Sequence, residues 1–198
     1  MNEIIRLESK INGEQEVSLY NPSTDAIENK KFKDYEGKWL VVMFYPADFT
    51  FVCPTELEDL GKSYQDLLNS NANVLVASTD TVFSHKRWVE TESLLKEFKI
   101  PMLSDRTTEI SKSFGVLNTK SGNAERGTFI ISPEGIVKSI EITTEPLGRS
   151  AHEVVRKIQA LEYMRNNPGH ACPASRNIGQ QDLTPGLDIA GRVGELLK

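Results

Sequence analysis

The chain predicts a mixed α/β sandwich, one sheet with helices on both faces, and three stretches carry that expectation. Residues 39–45 (WLVVMFY) form a continuous apolar run rich in β-branched and aromatic side chains, the pattern of a strand covered on both faces. Residues 73–79 (NVLVAST) repeat it, and between the two runs Leu57, Leu60, Tyr64, Leu67 and Leu68 recur at helical spacing from Pro54 to Asn69. The third observation is a pair of runs, residues 128–132 (TFIIS) and 136–143 (IVKSIEIT), joined by Pro133-Glu134-Gly135, whose Pro and Gly supply turn geometry. The strand–helix–strand unit builds a parallel pair, and the hairpin adds an antiparallel edge.

The other elements follow in order. A second helix is expected over residues 84–98 and a short one over residues 107–114. Val154, Val155, Ile158, Leu161 and Met164 mark a final long helix, which Asn167-Pro168-Gly169 ends because proline cannot continue it. The chain divides accordingly into a core of residues 1–168 and a C-terminal extension of residues 169–198. At roughly 100 to 200 residues per domain, this length suits one domain and a tail.

Composition narrows the function. The 23 basic and 28 acidic side chains give 23 − 28 = −5, and no run of five Lys/Arg occurs, which argues against a nucleic-acid partner. The longest apolar stretch, residues 39–45, falls far short of the roughly 18 residues of a membrane span, so no membrane partner is expected. The opening MNEIIRLESK holds only Ile4 and Ile5 as adjacent apolar residues, whereas a secretory signal needs an apolar region of about 7 to 15. The expected location is cytoplasmic, where Cys53 and Cys172 persist as thiols unless their chemistry is redox. They form no CxxC pair, so neither a zinc ribbon nor a thioredoxin-type dithiol is present.

Cys53 leaves the C-terminal end of a buried strand and enters a helix, the place where open α/β sheets bind ligands. Pro54 suits the first helical position, so Cys53 belongs at the cap or in the first turn, near free N–H groups and the positive dipole end. A thiol of ordinary pKa, about 8.5, is only ~3% ionised at pH 7, and the dipole's roughly 0.3 to 2 kcal/mol does not make the thiolate dominant. An arginine never deprotonates and donates a charge-assisted hydrogen bond worth about 1.5 to 3 kcal/mol. Arg126, immediately before an expected core strand, is the candidate. Free cysteines are commonly small buried hydrophobes. Against that reading stand the strand-to-helix position, the flanking Pro46 and Pro54, and the nearby hydroxyls of Thr50 and Thr55. Thr50 fits equally well as a plain helix cap.

Pro46-x-x-x-Thr50-x-x-Cys53 resembles the active-site motif of the peroxiredoxins, and the wider string FYPADFTFVCPTE (residues 44–56) resembles their typical two-cysteine group, in particular its alkyl hydroperoxide reductase C branch. Residues 78–81 (STDT), 84–88 (SHKRW), 126–132 (RGTFIIS), 148–150 (GRS) and 172–174 (CPA) match further family strings in order. The resemblance implies a thioredoxin-like fold, with the extension carrying a resolving cysteine, and thiol-dependent reduction of hydrogen peroxide and organic hydroperoxides without metal or other cofactor. By the same resemblance, Cys53 is the peroxidatic cysteine and attacks the peroxide, leaving a sulfenic acid. Thr50 and Arg126 bind the peroxide oxygens, Pro46 shields the site, and Glu56 and Arg149 orient Arg126. Cys172 is the resolving cysteine, which forms a disulfide with Cys53 of another protomer. The implied unit is a homodimer, with a ring decamer built through Ala47, Asp48 and Phe49 and through Val82, Phe83 and Ser84. The implied reductant is the flavoprotein component of alkyl hydroperoxide reductase, or thioredoxin. A ring acting as a chaperone is the alternative role within the family.

Two departures qualify the resemblance. Where the family carries Trp two residues after Cys-Pro-Ala, this chain has Arg176, a charged side chain of the exposed type. The Gly-Gly-Leu-Gly and Tyr-Phe motifs of peroxide-sensitive members are missing, so resistance to overoxidation is expected. Gly127-Thr128 stands where thioredoxins carry a proline, which argues against a general disulfide reductase. A Cys/His hydrolase would need His85, His152 or His170 as base. His85 and His152 read as solvent-facing or interface residues on helices, and His170-Ala-Cys172 offers too few ligands for a metal.

Overall fold

The computed structural model describes residues 4–197. Its strands are β1 (Glu16–Asn21), β2 (Ala26–Lys31), β3 (Trp39–Phe44), β4 (Ala72–Ser78), β5 (Met102–Ser104), β6 (Arg126–Ile131) and β7 (Val137–Thr143). They form one seven-stranded sheet in the order β2-β1-β5-β4-β3-β6-β7. The central pairs β3/β4 and β4/β5 are parallel, while β1/β2, β1/β5, β3/β6 and β6/β7 are antiparallel. The mixed α/β sandwich with a parallel pair and an antiparallel hairpin is as the sequence predicts.

Every residue of β3 is buried, and its period of two divides the side chains between two cores. Trp39, Val41 and Met43 face one, with Leu57 and Leu60 of α1 (Cys53–Lys62), Leu67 of α2 (Tyr64–Asn69) and Val154 and Ile158 of α5 (Ala151–Asn166). Leu40, Val42 and Phe44 face the other, with Phe129, Ile131 and Ile110 of α4 (Glu109–Ser113). Burial on both faces is why the run has no polar position. Gly127 of β6 is required by close approach, because a Cβ there would stand 2.7 Å from Val116 Cγ1.

The expected boundaries shift in four places. The single helix over residues 54–69 divides at Ser63, whose N–H bonds back to Asp59, into α1 and α2. The helix expected over residues 84–98 is α3 (Val82–Thr91) followed by a separate turn, Ser93–Leu95. Pro54 takes the second helical position and Cys53 the first. Arg126 is the first residue of β6 and not the residue before it. Beyond Gly169 the chain makes an isolated bridge between Ala171 and Leu183 and a last turn, α6 (Val193–Leu196). Among the described residues no helix is long and apolar enough to cross a membrane.

Candidate active site

Cys53 lies where β3 ends and α1 begins, its side chain fully enclosed among the α1 and α5 core residues. Arg126 enters from the adjacent strand β6, and its Nη1 donates to Cys53 Sγ at 3.4 Å and to Glu56 Oε2 at 2.6 Å. Its Nε donates to the Glu145 carbonyl at 2.5 Å. Burial works against the charge on Arg126, yet the hydrogen bonds to Cys53 and Glu56 outweigh it and hold its pKa above the ordinary arginine value.

Glu56 sits one helical turn after Cys53 and is itself buried. It accepts at Oε1 from the Arg149 backbone N–H at 2.8 Å and from Arg149 Nε at 2.9 Å. Arg149 also donates to the Phe44 carbonyl at 2.8 Å and to Thr128 Oγ1 at 3.1 Å, so it ties α1 to the end of β3 and to β6. The formal charges decide what the site favours. Two arginines and one glutamate sum to +1 with Cys53 as a thiol and to zero with it as a thiolate. A single negative charge at the sulfur's position thus completes a neutral buried cluster at the N-terminal end of α1.

Thr50 donates from its hydroxyl to the Ala47 carbonyl at 2.8 Å. It is not the helix cap: Val52 holds that position and offers no side-chain bond. Pro46 is buried beside Tyr45. No sequence signal marks the Glu145, Phe44 and Thr128 contacts, because two are backbone carbonyls and the third is a strand threonine among apolar neighbours.

His85 corrects the reading of a surface histidine. It is fully enclosed, with Nδ1 2.9 Å from Asp48 Oδ2 and Nε2 donating to the Leu103 carbonyl at 3.2 Å. The Tyr45 hydroxyl donates to Asp48 Oδ1 at 2.7 Å. Asp48 therefore turns inward, while its neighbour Phe49 and, on α3, Phe83 are 57% and 72% exposed. His152 is exposed as expected. Among the described residues no histidine bonds to Cys53, which leaves the hydrolase reading without a base. Arg176 also corrects its reading: it is buried, its guanidinium stacked 4.2 Å from the centroid of Tyr163, because the flat cation satisfies a ring face as an aromatic side chain would. Cys172 is half-buried, and the two thiols are free.

The AhpC/TSA family matches residues 14–140. The chain belongs to that family. It is a peroxiredoxin, by class a thiol-dependent peroxidase. The chain is 44% identical over 174 residues to alkyl hydroperoxide reductase C of Staphylococcus epidermidis, covering 88% of this chain and 92% of that one. It is 46% identical over 160 residues to the protein of the same name from Amphibacillus xylanus, covering 81% and 85%. Among solved structures, Enterococcus faecalis AhpC superposes with a TM-score of 0.81 at 37% identity, covering 86% of this peroxiredoxin and all of that chain. The reduced 2-Cys peroxiredoxin of Plasmodium vivax superposes with a TM-score of 0.88 at 26% identity, covering 95% and 98%. The sheet and flanking helices are thus the thioredoxin-like fold of the peroxiredoxins.

Proposed function

We propose that this peroxiredoxin reduces hydrogen peroxide and organic hydroperoxides with Cys53 as peroxidatic cysteine and Cys172 as resolving cysteine. The observation that carries the reading is Arg126 Nη1 on Cys53 Sγ inside a cluster that becomes neutral when the sulfur is a thiolate. The thiolate attacks the terminal peroxide oxygen, the O–O bond breaks, and the leaving alkoxide or hydroxide takes up a proton as alcohol or water. Cys53 is left as a sulfenic acid. Arg126 and Thr50 stabilise the charge that moves onto the departing oxygen, and Pro46 keeps water out. Glu56 and Arg149 hold Arg126 in place.

The Cys172 thiol of a second protomer then displaces the sulfenic hydroxyl as water and forms the disulfide. Two electrons and two protons from a reductase restore both thiols. The reductant in this reading is the flavoprotein component of alkyl hydroperoxide reductase, with thioredoxin as the other donor. A homodimer joined along the free edge of β7 and a decameric ring joined through residues 47–49 and 82–84 complete the assembly. The core of residues 1–168 carries the peroxidatic site and the extension of residues 169–198 the resolving one. A cytoplasmic location suits the two free thiols.

Stopped-flow peroxide reduction tests the reading. Wild type should turn over and form a reducible dimer band, Cys53→Ser should do neither, and Cys172→Ser should consume one equivalent and then gain oxygen on Cys53. A Cys172→Ser protein that still turns over with the reductase and makes the band overturns the resolving role.

A further inference from the structure

The C-terminal extension docks on α5 through side chains that converge on Tyr163. Arg176 stacks on one face of its ring, and the buried Arg176 Nε has no hydrogen-bond partner, so stacking is the main hold on that side chain. The Tyr163 hydroxyl donates to Asp182 Oδ2 at 2.5 Å, and His170 Nδ1 lies 2.7 Å from the same oxygen. The His170 ring meets Tyr163 edge to face, with centroids 6.5 Å apart. Backbone support is slight: Ala171 and Leu183 exchange the two hydrogen bonds of one bridge, and Arg156 donates to the Arg176 carbonyl at 3.4 Å. Cys172 sits between His170 and Arg176, and its thiol donates locally to the Pro173 carbonyl at 3.6 Å.

A disulfide needs its two Cα atoms within about 7 Å. Cys53 is sealed in the core at the first turn of α1, and Cys172 is held against α5 by the Tyr163 contacts. The enclosed Cys53 sulfur has to come out of the core to be reached. A contact that pins residues 170–176 on α5 restrains the Cys172 thiol in reaching it.

We propose that Arg176 is a positioning residue of the resolving step: stacked on Tyr163, it holds the Cys172 segment docked on α5 and slows disulfide formation. It thereby sets how long the Cys53 sulfenic acid survives before capture. The proposal rests on the reading of Cys172 as the resolving thiol. The resolving step itself forms one S–S bond and releases one water, with no further reactant.

Rapid-quench alkylation with mass spectrometry separates the two phases. In Arg176→Ala the sulfenic acid should form at the wild-type rate, while the disulfide phase accelerates about 2- to 30-fold, the factor expected for losing one cation–π contact. The peroxide concentration that drives half of Cys53 to sulfinic acid should rise by the same factor. Arg176→Gln, which removes the cation with little change in volume, should accelerate the phase likewise, and Arg176→Lys should restore part of the delay. In a Tyr163→Leu background, Arg176→Ala should add nothing. A disulfide phase that is unchanged or slower in both Arg176→Ala and Arg176→Gln overturns the proposal. A disulfide that persists in Cys172→Ser is a different failure, overturning the reading of Cys172 and the proposal with it.

Discussion

Glu56 grips Arg126 through the same nitrogen that reaches Cys53: Nη1 lies 2.6 Å from Glu56 Oε2 and 3.4 Å from Cys53 Sγ. The glutamate therefore does two opposed things. It fixes the guanidinium against the sulfur, and it cancels part of the positive charge that favours the thiolate. Arg149 on the other carboxylate oxygen returns that charge.

Arg126→Met removes the donor and leaves the cluster at −1 with a thiolate, so the buried charge balance turns against ionisation. Peroxide turnover should fall at least about 10²- to 10³-fold, the loss typical of one preorganised donor at a developing charge. Iodoacetamide alkylation of Cys53 at pH 7 should slow as well. Wild-type alkylation and turnover would mean that another group serves the sulfur.

His85 and Asp48 form a second buried pair, which anchors the loop between β3 and α1 to α3. His85→Leu leaves the Asp48 carboxylate enclosed with Tyr45 as its side-chain donor, and a buried acceptor deprived of a hydrogen-bond partner in this way costs about 1 to 3 kcal/mol. Asp48→Asn should cost a similar amount in urea unfolding, and the double variant Asp48→Asn/His85→Leu clearly less than the sum of the two. Additive losses would show the pair is not coupled.

The central frame was legible because β3 and β4 are buried on both faces, which leaves an uninterrupted apolar run in the sequence. Strand β2 (AIENKK) was not, because an edge strand engages through its backbone, and this one buries none of its side chains fully, leaving Ile27 exposed and charged residues at Glu28, Lys30 and Lys31. Strand β1 buries Val17, Leu19 and Tyr20 among exposed or half-buried residues over too short a span to stand out. Cys53, Glu56, Arg126 and Arg149 were readable as a motif, and the geometry brings all four together. The inward turn of Asp48 was not readable: His85 is 37 residues away and lies next to Lys86 and Arg87, which make its helix look solvated. Arg176 misled for the same reason, since nothing local announces a ring face contributed by Tyr163.

Docking of the extension should weaken in acid. The hydrogen bond from Tyr163, with help from His170, holds the Asp182 carboxyl below the usual carboxylate range. A folded-state pKa below the unfolded value contributes stability that is present above about pH 4 and is lost as pH falls through the lowered value. Hydrogen exchange at the Leu183 N–H, which bonds to the Ala171 carbonyl, should therefore quicken below that pH after correction for its intrinsic rate. Asp182→Asn should remove the acid dependence, and an unaltered pH profile in that variant would detach the carboxyl from the docking.

The proposed ring contact carries the last prediction, and the position of Ser84 makes it clean. Thr81 caps α3 by accepting the Ser84 N–H at 3.1 Å, which puts Ser84 at the third helical position. Glutamate is favoured there, since it reaches back toward the cap and meets the positive end of the dipole. Ser84→Glu should therefore leave the folded chain at least as stable as wild type. The neighbouring Phe83 is largely exposed, an apolar surface suited to cover by a second dimer. Buried in such a contact, the new carboxylate has no partner and carries its full desolvation cost, whereas Ser84→Gln brings the same volume without the charge. Sedimentation velocity should show a ring for wild type, dimers for Ser84→Glu and an intermediate loss for Ser84→Gln, with one urea midpoint for all three once assembly is accounted for. Because the substitution suits the helix, a dissociated ring cannot be put down to a damaged protomer. An intact ring in Ser84→Glu removes residues 82–84 from the interface.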